Sequence, residues 1–273
     1  MVERYRLSVR RACHLSQFSR AVWYRPSRAK DQSALRQRIR EIAMSRPRFG
    51  YLRIHVMLRR EGWRVNHKRV HRLYRLEGLH LRMRVRRRKH QCLHRGPVPT
   101  AIRRNERWSM DFVHDPLFDG RRFRVLAVID PWSRESVILE PRFSYSGRVV
   151  AELLERRVAV NGSPESITVD HGTEFTSKAL EAWAWERGLK LDFTHPGKPT
   201  ENGYIESFNG SLRDECLNVN PFLSLVDAKQ KLDTWRRDYN RHRPHGSLGH
   251  LTPAEYVARY DQPQAPRAMK IQR

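Results

Sequence analysis

The chain has 273 residues, with 54 Lys and Arg against 29 Asp and Glu, a formal charge of +25 and a pI near 11.0. An apolar content of 39% and seven tryptophans exclude a disordered basic tail, and the absence of any run of eighteen apolar residues or of an apolar leader argues against a membrane span or a secretory signal. Cys13, Cys92 and Cys216 are scattered and odd in number, which suits a reducing, cytoplasmic compartment and excludes a disulfide framework.

The charge is unevenly placed. Residues 1–107 hold 31 Lys and Arg against 6 Asp and Glu, whereas residues 108–273 hold 23 of each. A nucleic-acid-binding part therefore precedes a neutral part with a different task. The excess is mostly arginine, which suits bidentate contacts to phosphates and bases.

Residues 1–30 read as a basic N-terminal segment whose weak helical pattern breaks at Pro26. Residues 31–90 read as a helix-turn-helix region. "SALRQRIREIAMSR" places Leu35, Ile39, Ile42 and Ala43 on one face of a helix. "YLRIHVMLRREG" predicts a second helix that buries Leu52, Val56 and Leu58 and ends before Gly62. "VNHKRVHRLYRLEGL" predicts a third, capped by Asn66, with an apolar stripe of Val70, Leu73, Tyr74 and Leu76. The third would be the recognition helix, offering Asn66, His67, Lys68, Arg69 and Arg72 to double-stranded DNA. Arg86, Arg87 and Arg88 close the region with charge that can lie along a phosphate backbone. Residues 91–104 read as a basic linker. Cys92 and His94 lack a second pair at metal-binding spacing.

From Trp108 the pattern changes. "RWSMDFVHDPLF", "RRFRVLAVID" and "ESVILEPRFS" are three strand-like runs with short connections. "GRVVAELLERRVAV" is an amphipathic helix, "ESITVD" a fourth strand, "SKALEAWAWERGL" a helix, "KLDFTHP" a fifth strand and "NGYIESFNGSLRDECL" a further helix. This order predicts an α/β domain with a mixed five-stranded sheet and flanking helices. It is the order of the ribonuclease H-like fold. We assign residues 105–262 to this domain and a C-terminal helical extension, and 263–273 to a tail.

Three carboxylates stand out. Asp111 lies inside the first strand, Asp170 ends the fourth, and Glu206 sits on the late helix. Active sites of α/β sheets gather at strand ends and adjacent helices. If the first and fourth strands are neighbours, the three acids meet. Clustered carboxylates repel one another unless cations are bound, and hard oxygen ligands select magnesium or manganese. Two such ions are suited to phosphodiester displacement. Asp115, Asp130, Glu174 and Glu201 are competitors: the first two can cap turns, Glu201 can cap a helix, and Glu174 is the strongest rival.

Asp111, Asp170 and Glu206 resemble the DDE triad of retroviral-integrase-like transposases, with 58 residues between the first two and 35 between the last two. "RFGYLRIHVMLRREGWRVNHKRVHRLYRLEGL", "NERWSMDFV", "KPTENGYIESFNGSLRDECL" and "WRRDYNRHRPHGSLGHLTPAEY" look, in that order, like the family's helix-turn-helix region, core entry, glutamate helix and C-terminal signature. The chain is similar to the OrfB-type catalytic subunit of two-frame bacterial insertion sequences. That resemblance implies a triad holding two magnesium or manganese ions, strand cleavage followed by strand transfer, and homo-oligomers on transposon-end and target DNA. It also implies frameshift fusion to an upstream-frame product, a nucleoid-associated bacterial protein, and DNA contacts from Arg213, with Asn209 and Lys198 close by. The chain departs from the family at Asp170-His171-Gly172, where an asparagine usually stands second. The alternative from another class is a DNA-binding regulator with an inactive ribonuclease H-like domain.

Overall fold

The computed structural model describes residues 2–25, 31–81, 101–194 and 202–261. Arg86, Arg87, Arg88, Cys92, His94, Lys198 and Glu201 lie outside the described residues. Three short helices, α1 (Val2–Tyr5), α2 (Val9–Leu15) and α3 (Arg20–Trp23), come first. Ser8 and Ser19 cap α2 and α3, each accepting a hydrogen bond from the backbone three residues on.

Helices α4 (Ser33–Ser45), α5 (Tyr51–Arg60) and α6 (His67–Leu76) enclose a core that includes Ile39, Ile42, Phe49, Ile54, Leu58, Val70 and Leu73. Gly62, at φ +89°, turns the chain after α5, and the Asn66 side chain caps α6 through the Lys68 N–H. Two expected core positions are corrected. Leu52 is 48% exposed and Leu76 69%. Leu52 and Leu58 lie about 120° apart around a helix of 3.6 residues per turn, so a face centred on Leu58 leaves Leu52 at its edge. Ile54, four residues before Leu58, takes the core place instead.

The second part is a five-stranded sheet. Its strands are β1 (Arg107–Pro116), β2 (Arg122–Ile129), β3 (Ser136–Arg142), β4 (Ser166–Val169) and β5 (Lys190–Phe193), in the order β3-β2-β1-β4-β5. The first three pair antiparallel, and β1–β4 and β4–β5 pair parallel. Helices α7 (Gly147–Asn161), α8 (Lys178–Glu186), α9 (Gly203–Glu215), α10 (Leu225–Arg241) and α11 (Pro253–Tyr260) complete it. The mixed sheet with helices on both faces is the expected ribonuclease H-like arrangement.

Alternation along β1 sets up the site. Trp108, Met110 and Phe112 join the layer packed by α7 and α8 through Val150, Leu154 and Leu180. Val113 joins the opposite layer, with Phe123, Val125 and Ala127 of β2, Ile205, Phe208 and Leu212 of α9 and Ala228 and Leu232 of α10. With a side-chain period of two, Asp111 shares the α9 face with Val113.

Gly147, the first residue of α7, lies under the loop that follows β4. A Cβ there would stand 2.6 Å from Ser177 Cβ and 3.0 Å from the Glu174 carbonyl oxygen. Ser177 Oγ donates to that carbonyl at 2.8 Å and accepts from the Leu180 N–H to cap α8. Gly147→Ala is therefore expected to cost about 1–3 kcal/mol through overpacking, read as a lower denaturation midpoint; an unchanged midpoint would show that the loop shifts freely.

The helix-turn-helix part docks on the C-terminal helices. Arg46 makes a bidentate pair with Asp238, Arg53 Nη1 donates to Glu215 Oε1 at 2.9 Å, and Arg60 Nη2 donates to Glu255 Oε2 at 2.6 Å and to the His250 carbonyl at 3.0 Å.

Candidate active site

β1 and β4 run side by side, with Ser109 opposite Thr168. Asp111, in mid-β1 just past its pairing with β4, and Asp170, just past the end of β4, are each two residues further on and therefore lie at the same level of the sheet. Asp111 is half-buried; Asp170 and Glu206, on the first turn of α9, are exposed. Asp111 Oδ1 accepts from the Phe112 N–H at 2.7 Å, and its Oδ2 accepts from Asn209 Nδ2 at 2.7 Å. Burial, followed by the charges of Asp170 and Glu206, pushes the Asp111 carboxyl up to about 6 despite those two donors. Among the described residues none of the three acids forms a salt bridge; Asp170 Oδ1 accepts only from the Gly172 N–H, at 3.0 Å.

Two of the competitors, Glu174 and Asp130, are otherwise engaged. Glu174 pairs with Arg124 of β2, whose guanidinium holds its carboxyl below the ordinary range. Asp130 is buried and accepts from the N–H groups of Asn105, Trp132 and Ser133, which makes it the turn cap. Asp115 has its carboxyl raised by burial, with Arg213 opposing the shift.

The Asn209 amide donates to Asp111, and its Oδ1 is buried with no hydrogen-bond partner among the described residues. Spacing put Asn209 near the Glu206 face but could not show which group it meets 98 residues away. Arg213, two turns beyond Glu206, donates from Nη2 to the His114 carbonyl at 3.1 Å. His171 does not join the acids. Its Nε2 bonds the Thr194 carbonyl at 3.0 Å and its ring stacks on Phe193 at 5.4 Å, tying the loop to the end of β5. Gly172 is needed for space: a Cβ there would lie 3.1 Å from Asp170 Oδ1.

The donor chemistry suits a divalent ion: three carboxylates without a cationic partner, beside an orphaned amide oxygen. Among the described residues no three acidic, His or Cys side chains close into a metal cage.

In the helix-turn-helix part, His67, Lys68, Arg69 and Arg72 all lie exposed on α6. Lys68, Arg69 and Arg72 have no acidic partner among the described residues, whereas Arg36, Arg38 and Arg40 of α4 are paired with Glu77 or Glu61. Asn66 Oδ1 accepts from the Lys68 N–H at 2.8 Å, so its side chain serves the cap.

Comparison with known proteins now decides the family. Residues 101–199 and 187–253 match Integrase core domain families, and residues 30–89 match an HTH-like domain. The 31.7 kDa protein of insertion element IS407 from Burkholderia multivorans is 42% identical over 259 residues, covering 94% of this chain and 93% of that protein. The chain belongs to the integrase-core family of insertion-element transposases. The putative transposase InsK of insertion element IS150 from Escherichia coli is 29% identical, over 81% of this transposase and 82% of that one. The fold matches a chain from the structure of the simian T-cell lymphotropic virus intasome in complex with PP2A regulatory subunit B56 gamma, with a TM-score of 0.54 at 16% identity, covering 86% of this chain and 77% of that one. The transposase acts in DNA transposition as a polynucleotidyl transferase, and none of these relatives favours the alternative of a regulator with an inactive domain. No helix among its described residues is long and apolar enough to cross a membrane.

Proposed function

We propose that Asp111, Asp170 and Glu206 are the catalytic triad and the ligands of two divalent ions, magnesium or manganese, in DNA strand cleavage and strand transfer. The observation that carries this reading is the half-buried Asp111 carboxylate beside the β1–β4 pairing, without a basic partner among the described residues and with its ionised form disfavoured by burial and by the charges of the other two acids. The three carboxylates would hold the ions, whose Lewis acidity would supply activation of a water or 3'-hydroxyl and charge neutralisation at the displaced oxygen. The chain's own part is placement. The Phe112 N–H and the Asn209 amide fix both oxygens of Asp111, and the Gly172 N–H holds one oxygen of Asp170. Arg213 braces the far end of β1 and carries a positive charge for a phosphate nearby.

Residues 31–90 form the DNA-binding region in this reading. Its exposed contacts are His67, Lys68, Arg69 and Arg72, with Arg86, Arg87 and Arg88 following. Residues 91–104 link it to the core and C-terminal extension at 105–262, and Lys198 approaches DNA ahead of α9. The working assembly is a homo-oligomer on DNA in the bacterial cytoplasm, fused by frameshifting to the upstream-frame product.

The test is magnesium-dependent nicking of a duplex carrying the element's end, combined with calorimetric titration of magnesium and manganese. Asp170→Asn and Glu206→Gln are each expected to lose nicking and to weaken ion binding, with duplex affinity kept. Full nicking by either variant overturns the assignment.

A further inference from the structure

On α9, Gly203, Ser207 and Ser211 recur every four residues and form a face about a quarter turn from Glu206. That face borders an open cavity of about 500 Å³, into which Arg53 of α5, Arg134 of the β2–β3 connection and Arg243 beyond α10 also converge. Two of the arginines are held. Arg243, 5% exposed, donates from Nε to Glu215 Oε2 and from Nη2 to Oε1, both at 2.7 Å, and Arg53 shares the same carboxylate. The nearby Asp238 is taken by Arg46.

Arg134 differs from both. It sits in left-handed backbone at φ +61° and its guanidinium lies 4.0 Å over the Tyr204 ring. It has no ion pair among the described residues, and its Nε is buried without a hydrogen-bond partner. A strained position holding an unsatisfied cationic donor is costly for the fold alone. The cavity thus holds three guanidinium groups against one carboxylate, with serine hydroxyls on its wall.

We propose that this cavity binds a phosphate group of the DNA backbone, with Arg134 as the direct ligand and Arg53 and Arg243 as the flanking charge. The proposal rests on the reading that this transposase engages duplex DNA, and it is independent of the carboxylate triad. The cavity spans the helix-turn-helix part and the core, so a phosphate there is gripped by both at once. Guanidinium forks suit a tetrahedral oxyanion, and the Tyr204 ring keeps the Arg134 plane fixed.

The test uses the full chain, without added metal, and a fluorescent duplex of about 30 base pairs, with affinity measured across a salt series. Loss of one phosphate contact lowers the slope of log affinity against log salt by about 1. Arg134→Gln is expected to show that drop with a several-fold loss of affinity, and Arg134→Lys to restore most of it. Ser207→Asp, which puts a negative charge on the exposed wall without touching Arg134, is expected to lower the slope as well. A parallel arm measures thermal stabilisation by inorganic phosphate and pyrophosphate. Stabilisation of wild type but not Arg134→Gln, with unchanged duplex slopes, would assign the cavity to free phosphate and overturn the DNA source. Unchanged slopes and no stabilisation overturn the site. Because the readout is metal-free binding, an inactive triad leaves it intact.

Discussion

Asp111→Asn is expected to abolish strand cleavage and strand transfer while raising the thermal stability of the metal-free protein. The amide keeps the shape of the side chain, but its nitrogen has no lone pair for a cation. Divalent ions contribute several kcal/mol at such centres, so the rate should fall by about 10³-fold or more. The stability change has the opposite sign. In the folded protein the Asp111 carboxyl titrates at about 6, above its ordinary 3.8, because burial and the charges of Asp170 and Glu206 disfavour its ionised form. Ionisation therefore costs stability, in full above pH 6, and the cost is relieved as pH falls from 6 toward 4. Allowing for solvent at the half-buried group, the cost at pH 7 is about 1–2 kcal/mol, or roughly 2–8 °C in melting temperature. The gap between variant and wild type should close as pH is lowered to 4. Melting curves in chelator at pH 4, 5.5 and 7, beside a nicking assay, check both halves. A variant that nicks, or that melts below wild type at pH 7, would sink the account.

The second large effect lies at His245. This residue is 6% exposed, its Nε2 bonds the Tyr239 carbonyl at 3.2 Å, and its ring meets the Tyr239 ring edge-on at 4.6 Å. Burial, then the charges of Arg243, Arg53 and Arg134, push its titration down to about 3. Its ordinary value is 6.5. The unfolded chain therefore binds a proton that the folded chain refuses, and stability is lost as pH falls from 6.5 toward 3. The shift corresponds to several kcal/mol, on the order of 4, at the acid end. His245→Gln keeps one donor and one acceptor without the titration. Across a denaturant series from pH 7 to pH 4, the stability difference between variant and wild type should swing in the variant's favour. Parallel pH curves for the two proteins would mean that His245 is not the group responsible.

Local chemistry made much of this chain legible in its sequence. Alternation marked the strands, and Ser177 and Asn66 marked helix starts because a capping side chain acts within a few residues. Asp111 stood out because a carboxylate amid apolar strand residues has few structural uses. What stayed hidden is set by contacts between distant segments. Glu174 stood as the strongest rival to Asp170 until Arg124, fifty residues away, was seen to hold it. That Asn209 meets Asp111 through its amide could not be read from spacing. Arg134 gave no signal at all, since its interest lies in lacking a partner. Leu52 and Leu76 were misplaced because short helices offer few turns over which to fix the phase of an apolar stripe.

Helix α9 carries the proposed catalytic Glu206 near one end and Glu215 at the other, and Glu215 is gripped by Arg53 from the helix-turn-helix part. At 1.5 Å per residue the two acids are about 13 Å apart along one stiff rod. A tilt of about 5° about the Glu215 end swings Glu206 by roughly 1 Å, a displacement that costs about a hundredfold in rate at a tightly organised centre. That length along one rod joins the docking contact of the helix-turn-helix part at Glu215 to the carboxylate at Glu206, so a shift at the first would be felt at the second.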